Sequence, residues 1–486
     1  MANEGLETLT YAARPAVVAR YLGELTLVLA AVAIPPALAG FWFAEHAIAW
    51  RYVAVAVALG AAGWLLTRRP PPTRVQTNEA LVVTAVAYLV ASAAMAYPMA
   101  AAGLPWSDAL FESVSGITTT GLTMIPDLQA VPRTLVFVRS WLQWCGGLGI
   151  VVLSIALLMG NDVAARRLID PVPAGEHLAT TTRAFARRVA VTYAALTVIA
   201  VATLVAFGLR PFDALNYAFA GISTGGFAPD ARSLAGLDGW PARTAVTLIG
   251  FVGAISLPLV GALAHREWQR FLGDAELRAL IVMTALVCAA LALLGLVGHG
   301  SASLGDRLLL GISAQSTTGF SASPPGELDA ASKVVLMVAM AIGGSVGSTA
   351  GGFKLLRLLV LVGLLGLLMR RAAMPSRAVA QLGIRGRQVP NEQALSMLAV
   401  VLLFPIAALA SWLPFLAAGL DPLDSLFDVV SALGTVGLSA GTTSPNLAPS
   451  LKAVLGVDML LGRVEFFAML VLIYPATWFA RRHAEQ

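Results

Sequence analysis

A fifteen-residue pattern occurs four times along the chain and restricts the possible folds more tightly than any other feature. Its clearest copy is Asp424 to Leu438, DSLFDVVSALGTVGL. The others run Asp108–Leu122 (DALFESVSGITTTGL), Asp213–Phe227 (DALNYAFAGISTGGF) and Asp306–Phe320 (DRLLLGISAQSTTGF). Each opens on an aspartate, continues through about nine helix-compatible residues and closes on Thr-X-Gly-[Phe/Leu]. The glycine (Gly121, Gly226, Gly319, Gly437) always lies thirteen positions after the aspartate. An isolated STGG or TTTG is ordinarily a loop or a helix-packing contact. Four copies at one offset, each between two long apolar segments, define a repeat architecture instead.

Those apolar segments place the chain in a membrane. Only 12% of its residues are charged and 58% are hydrophobic, against about 25% charged in soluble proteins. Ten stretches could span: 21–43, 52–67, 79–100, 134–159, 184–207, 242–263, 277–298, 332–370, 393–418 and 451–480. About 20 residues cross a bilayer, whereas nine helical residues rise only about 14 Å. The four repeated pieces should therefore enter and leave on one side.

Ten crossings put both termini on one side. That side holds twenty basic residues and the other nine, with Lys354, Arg357 and Arg463 inside membrane segments. Positive charge marks the cytoplasmic side, so both termini are expected in the cytoplasm, in a cytoplasmic (inner) membrane, with all four repeats outside. The net charge of +5 needs no nucleic acid to explain it. The first apolar stretch reads as a retained helix rather than a cleaved signal. Cys145 and Cys288 fall in membrane segments and imply no disulfide framework. The five histidines (His46, His177, His265, His299, His483) lack metal-ligand spacing.

Residues 21–76 form a hairpin without the repeat, broken at Pro35-Pro36 and ended by RRPPPTR. From there the order helix, re-entrant piece, helix recurs four times. Each unit crosses twice, so all four share one orientation, which suits a pore with pseudo-fourfold symmetry. Inverted-repeat transporters need an odd number of crossings per unit. The expected fold is an all-α polytopic membrane protein of four parallel helix–pore-loop–helix repeats plus an N-terminal helical hairpin. Its units are 1–76, 77–160, 161–264, 265–371 and 372–486. No cytoplasmic segment is long enough for a soluble domain, so any nucleotide control must come from a separate chain.

The repeated piece suits a cation. An aspartate at the N-cap of each short helix would satisfy free N–H groups and complement the dipole. The negative end of the helix then points at Thr119-Thr120-Gly121, Thr224-Gly225-Gly226, Thr317-Thr318-Gly319 and Thr435-Val436-Gly437. Four such turns can aim carbonyl oxygens at one axis and replace an ion's water. Glycine permits the unusual backbone angles this needs. Their small uncharged side chains suit a desolvated monovalent ion better than a divalent one, which recruits carboxylates. Glu112 and Asp428, four residues after the aspartates of copies one and four, could concentrate cations at the mouth or serve as hydrogen-bonded structural groups.

Thr435-Val436-Gly437 matches the start of the potassium-channel filter, with leucine following in place of tyrosine-glycine. The four degenerate copies resemble the Trk/Ktr/HKT superfamily of potassium transporters over essentially the whole chain. Gly343–Arg357 (GGSVGSTAGGFKLLR) resembles that family's loop interrupting the second helix of repeat three. Gly462-Arg463-Val464-Glu465 resembles its last-helix motif, with an arginine below the filter. The N-terminal hairpin is similar to the Trk type, and GTVGL to the Ktr type. The resemblance implies K⁺ as the transported ion with no organic cofactor, and a homodimer in which each chain has its own pore. It further implies a cytoplasmic nucleotide-binding regulatory subunit, TrkA- or KtrA-like. In HKT-type proteins a serine at the first filter glycine accompanies sodium transport, so Gly121 points to potassium.

Two features read as a gate. Residues 343–352 hold five glycines (Gly343, Gly344, Gly347, Gly351, Gly352), each costing about 1 kcal/mol against alanine in a helix. With Ser345, Ser348 and Thr349 they should break the helix into 332–342 and 353–370. The other reading is a GxxxG packing face. Non-helical backbone at membrane depth is tolerated where it lines a cavity, as a gate under the filter would. Arg463 sits mid-helix, where a charge is expensive. It forms either an interhelical ion pair with an acid such as Asp458 of the partner subunit, or a positive charge in the cavity that works with the loop.

Enzyme motifs fail on context. Gly221-Ile222-Ser223-Thr224-Gly225 matches GxSxG but follows a helix rather than a strand, and in GSTAGGFK no Ser or Thr follows the lysine. No enzyme activity is expected. The competing function is a secondary carrier of a small organic solute, which would show inverted repeats and midplane polar groups.

Overall fold

The structure is a computed structural model that describes residues 12–68, 75–161, 178–264, 266–297, 302–373, 382–384, 387–464 and 466–479. Glu465, the arginines at 166–167 and 481–482, and both chain ends lie outside the described residues. The N-terminal hairpin consists of Pro15–Val32 continuing into Ile34–Trp42, then His46–Thr67. The break expected at the two prolines shrinks to one residue, Ala33, still near helical angles (φ −77°, ψ −14°). Pro35 and Pro36 occupy the first turn of the second piece, where a missing N–H costs nothing. The stretch runs on as one span, Pro15–Trp42.

The four units follow in order. Copy one is Thr77–Met99, the short helix Trp106–Ile117 and Arg133–Asn161. Copy two is Leu178–Ala206, Pro211–Ile222 and the broken pair Trp240–Gly253 and Leu257–Ala264. Copy three is Ala275–Val297, Leu304–Gln315 and the pair Ala330–Ile342 and Leu355–Ala372. Copy four is Asn391–Ala417, Pro422–Leu433 and Pro449–Val464 with Phe466–Ile473. Among the described residues six helices are long and apolar enough to cross a bilayer, and the copy-two pair, bent by 102°, makes a seventh. The second helices of copies one, three and four occupy the other three expected stretches. A two-residue antiparallel ladder, Gly383–Ile384 on Arg387–Gln388, is a minor addition between copies three and four. The first helices turn apolar side chains outward, as at Leu293, Leu296, Leu402 and Leu413. In a bilayer such faces meet lipid rather than water.

The short helices have twelve residues each rather than nine, still only about 18 Å of rise. This extension corrects the expected role of the repeated aspartates. Each helix begins two residues earlier, so Asp108, Asp213, Asp306 and Asp424 occupy the third helical position. The N-cap residues are Pro105, Arg210, Ser303 and Asp421. Only Ser303 and Asp421 accept capping bonds through their side chains. A carboxylate in the first turn still complements the dipole, but two of the aspartates also tie neighbouring copies together.

The ties run in a circle from the second helix of one copy to the short helix of the next. Ser140 Oγ donates to Asn216 Oδ1 from copy one to two. Trp240 of copy two covers Gly305 of copy three, leaving no room for a side chain there. Lys333 Nζ meets Asp424 Oδ1 at 2.5 Å, from three to four. Lys452 Nζ meets Asp108 Oδ1 at 2.6 Å, closing the circle from four to one. Within a copy the second helix presses its own short helix through glycine. A methyl at Gly146, Gly253 or Gly462 would come closer than 3.0 Å to the carbonyl oxygen of Ile117, Ile222 or Leu433 respectively.

The Lys452–Asp108 pair has side chains only 7% and 8% exposed. Removing one member of a buried pair leaves an uncompensated charge and costs about 3–5 kcal/mol. Lys452→Met is therefore expected to lower the melting temperature in detergent markedly. Lys452→Met with Asp108→Leu should recover most of the loss, and equal melting temperatures for single and double variants would show that the pair does not hold the ring.

Candidate functional site

Each short helix ends in the same way. The residue at the first triplet position is left-handed: φ is 56° at Thr119, 50° at Thr224, 53° at Thr317 and 48° at Thr435. Its N–H bonds three residues back, and the next N–H bonds five back, as in Thr119 N to Gly116 O (3.0 Å) and Thr120 N to Ser115 O (2.9 Å). This is the Schellman closure, here with threonine where glycine is usual. A β-branched residue in that region costs about 1–3 kcal/mol and persists only where its surroundings impose it. Two residues on, the glycine is left-handed again: φ 94° at Gly121, 77° at Gly226, 80° at Gly319 and 91° at Gly437. Alternation of this kind can aim successive carbonyls toward one side, the backbone form an ion filter needs.

The four triplets close into a ring. A methyl on Gly121 would come closer than 3.0 Å to Gly225 O, one on Gly226 to Thr318 O, one on Gly319 to Val436 O, and one on Gly437 to Thr120 O. Each glycine thus lies against the middle carbonyl of the next copy, and the fourth returns to the first. All four glycines line one cavity of about 420 Å³, together with Thr123, Asp230, Ser321 and Ser439. Below them, Thr119 Oγ1 and Thr435 Oγ1 are buried without a protein partner. These two oxygens and the middle-position carbonyls are neutral oxygen donors of the kind a dehydrated monovalent cation takes.

Glu112 and Asp428 take the structural role. Both are fully buried. Glu112 accepts from Thr123 Oγ1 and Met124 N, both at 2.6 Å, and pairs with Arg139 at 2.9 Å. Asp428 accepts from Ser439 Oγ (2.8 Å), Ala440 N (2.7 Å), Thr443 N (2.7 Å) and Thr443 Oγ1 (2.6 Å). They anchor the chain leaving the first and fourth triplets. At the rim, the Arg232 guanidinium holds the Asp230 carboxyl below the usual carboxylate range.

Under the ring lies the glycine-rich segment. The helix stops at Ile342 and resumes at Leu355, close to the expected break. Gly343, Gly347 and Gly352 have φ of 72°, 75° and 71°, which excludes the packed-helix reading. A second break, unforeseen within the expected span 242–263, receives it. Ser345 N donates to Ala254 O (3.1 Å), Thr349 N to Gly253 O (3.2 Å), and Leu257 N to Gly347 O (3.0 Å). The segment also reaches three short-helix ends. Thr349 Oγ1 donates to Ile222 O (2.9 Å), Gly351 N to Thr317 Oγ1 (2.8 Å) and Gly352 N to Gly434 O (3.0 Å). Gln315 Nε2 holds Gly343 O at 2.8 Å, Ser348 Oγ donates to Ser345 O at 2.6 Å, and Gly344 is pressed against Ala350.

Arg463 completes the floor. Its guanidinium donates to Thr349 O (2.7 Å) and Gly146 O (3.2 Å), with 3% of the residue exposed. Among the described residues it has no carboxylate partner, and the Asp458 of its own chain bonds to Ser411 instead (2.5 Å). The arginine touches the loop directly.

The structure thus brings the four triplets into one ring, with Gly121, Gly226, Gly319 and Gly437 lining its cavity and the glycine segment with Arg463 beneath them. The enzyme motifs dissolve: Ser223 is buried with Oγ bonded to Phe219 O (2.7 Å), and Lys354 Nζ bonds back to Ala350 O. Sequence reasoning missed Gln143, which contacts the second triplet, and the bend at 254–256. The Ser256-Leu257-Pro258 run, a helix-start signal, could have revealed the bend.

Known proteins resemble this chain over most of its length. The chain is 29% identical over 474 residues to the Trk system potassium uptake protein TrkH of Halomonas elongata, covering 94% of this chain and 98% of that one. It is 27% identical over 455 residues to an uncharacterized cation transporter of Methanocaldococcus jannaschii, covering 93% and 94%. The crystal structure of the potassium transporter TrkH from Vibrio parahaemolyticus superposes with a TM-score of 0.84 at 26% identity, covering 96% of this chain and 99% of that one. The sequence model of the TrkH family of cation transport proteins matches residues 46–477. The chain belongs to that family, a family of transporters and not of enzymes.

Proposed function

We propose that this chain is the ion-translocating membrane subunit of a potassium-uptake system. The observation that carries the reading is the closed ring in which Gly121, Gly226, Gly319 and Gly437 each lie against the middle carbonyl of the next copy. K⁺ loses its water at the cavity above the ring and passes through carbonyls and threonine hydroxyls of the four triplets. The short-helix C-termini add partial negative charge beneath it. The units are those set out from the sequence, 77–160, 161–264, 265–371 and 372–486, after the hairpin 1–76. The names of the Halomonas and Vibrio relatives support potassium as the ion.

In this reading the glycine segment and Arg463 form the gate. The guanidinium occupies the path as a resident cation and holds Thr349 O, so ion passage requires segment and arginine to move together. By the same family likeness the chain works as a homodimer in the cytoplasmic membrane, with both termini in the cytoplasm. A TrkA- or KtrA-like nucleotide-binding subunit drives the segment.

Rubidium uptake, with and without competing sodium, in a bacterial host lacking its own potassium systems tests the ion path. Wild type should take up rubidium against sodium. Gly226→Ser and Gly319→Ser force a side chain into a backbone carbonyl and should cut discrimination by about tenfold or more, a change of about 1.4 kcal/mol. Inserted protein that stays silent even with the regulatory subunit present would return the organic-solute carrier to the front.

For the gate, Arg463→Ala should raise rubidium flux about tenfold, since charged hydrogen bonds of this kind contribute about 1.5–3 kcal/mol to holding the segment. Deleting Gly347–Gly351 should likewise abolish regulated closure. Folded Arg463→Ala protein with unchanged flux would remove the arginine from the gate.

A further inference from the structure

The ring of triplets is not uniform, and the irregularity is built by a residue from another copy. The middle positions are Thr120, Gly225, Thr318 and Val436, so only copy two lacks a side chain there. Its place is occupied by Gln143 from the second helix of copy one. A methyl added at Gly225 would come closer than 3.0 Å to Gln143 Cγ, Cδ and Oε1. The fully buried amide of Gln143 bridges the filter glycine: Nε2 donates to Gly225 O and Oε1 accepts from Phe227 N at 3.1 Å.

The next interface reverses the arrangement. Gln143 lies three residues before Gly146, the glycine pressed on Ile117 O. In copy two the matching position, three before Gly253, is Gly250. A methyl there would come closer than 3.0 Å to Oγ1 and Cγ2 of Thr318. One interface has its side chain on the helix and none on the filter; the other has its side chain on the filter and none on the helix. Each of these two interfaces holds one side chain, while its owner changes.

A consequence follows for the ion. Among the described residues Gly225 O accepts a side-chain donor, whereas Thr120 O, Thr318 O and Val436 O accept no hydrogen bond. A carbonyl oxygen has two lone pairs, so the Gln143 amide leaves one for an ion while fixing the direction of the C=O. We propose that Gln143 is a positioning residue for the second filter segment, standing in for the side chain Gly225 lacks and setting the orientation of the Gly225 carbonyl on which ion discrimination depends. This rests on the reading of the triplets as an ion filter.

The test uses the full-length chain in the potassium-deficient host, reading rubidium uptake against sodium and the melting temperature of purified protein. Gln143→Met keeps the volume and loses both hydrogen bonds. It should stay folded, with a melting temperature only a few degrees below wild type, while discrimination falls about tenfold, as for one hydrogen bond's contribution. The double variant Gln143→Gly with Gly225→Thr copies the neighbouring interface and should regain discrimination to within about threefold of wild type. Gly225→Thr alone, with Gln143 still in place, should not regain it. Folded Gln143→Met with discrimination within about twofold of wild type would overturn the proposal. If Gln143→Met does not fold, the double variant decides, and a folded double without discrimination overturns it. Wild type that takes up no rubidium would instead sink the filter reading beneath it.

Discussion

Backbone meets backbone at the centre of this protein, and the rest of the fold exists to hold that contact. Four glycines lie against four carbonyls drawn from the neighbouring copies, so no L-side chain fits at any of them. Such an approach is unfavourable in isolation: carbonyl dipoles converge, and four threonines sit in left-handed geometry, each at a cost of about 1–3 kcal/mol. The compensation comes from outside the ring. Schellman closures fix each helix end, and the glycines of the second helices let backbones approach closely. Buried polar ties at Ser140, Lys333 and Lys452 pass from copy to copy.

The same logic explains why two helices break side by side. Non-helical backbone at membrane depth must satisfy its own N–H and C=O groups. The segment after Ile342 does so by pairing with the break at 254–256 and with three short-helix ends. Neither break is tolerable alone. Arg463, desolvated and facing carbonyl oxygens rather than a carboxylate, is held by the convergence of partial negative charge at that level. That is also where a transported cation would stand, and on the gating reading the competition between the two is the gate.

Residues of one type diverged in role according to what surrounds them. The repeated aspartates look alike in sequence, yet Asp108 and Asp424 bind lysines from other copies while Asp213 pairs with Arg210 three residues away. Capping depends on helix start, and the start lies two residues earlier than the repeat suggests. Proline at the first turn in copies two and four and the N-caps Ser303 and Asp421 set it there. Glu112 and Asp428 could equally have faced solvent; burial and four or fewer donors made them anchors for the chain that follows each triplet.

Membrane embedding, the four-unit order, the short helices, the left-handed glycines and the break after Ile342 were all legible in the residues, because each follows from composition, periodicity or backbone freedom within a few positions. What stood beyond reach was every partner drawn from far along the chain. The carbonyl facing each glycine, the lysine facing Asp108 across 344 residues, the bend that receives the glycine segment and the amide that fills the space beside Gly225 are such partners. A local pattern records what a segment can do by itself. Which atom it meets is settled only when four separate units pack around one axis, and packing of that kind leaves no mark at fixed sequence spacing.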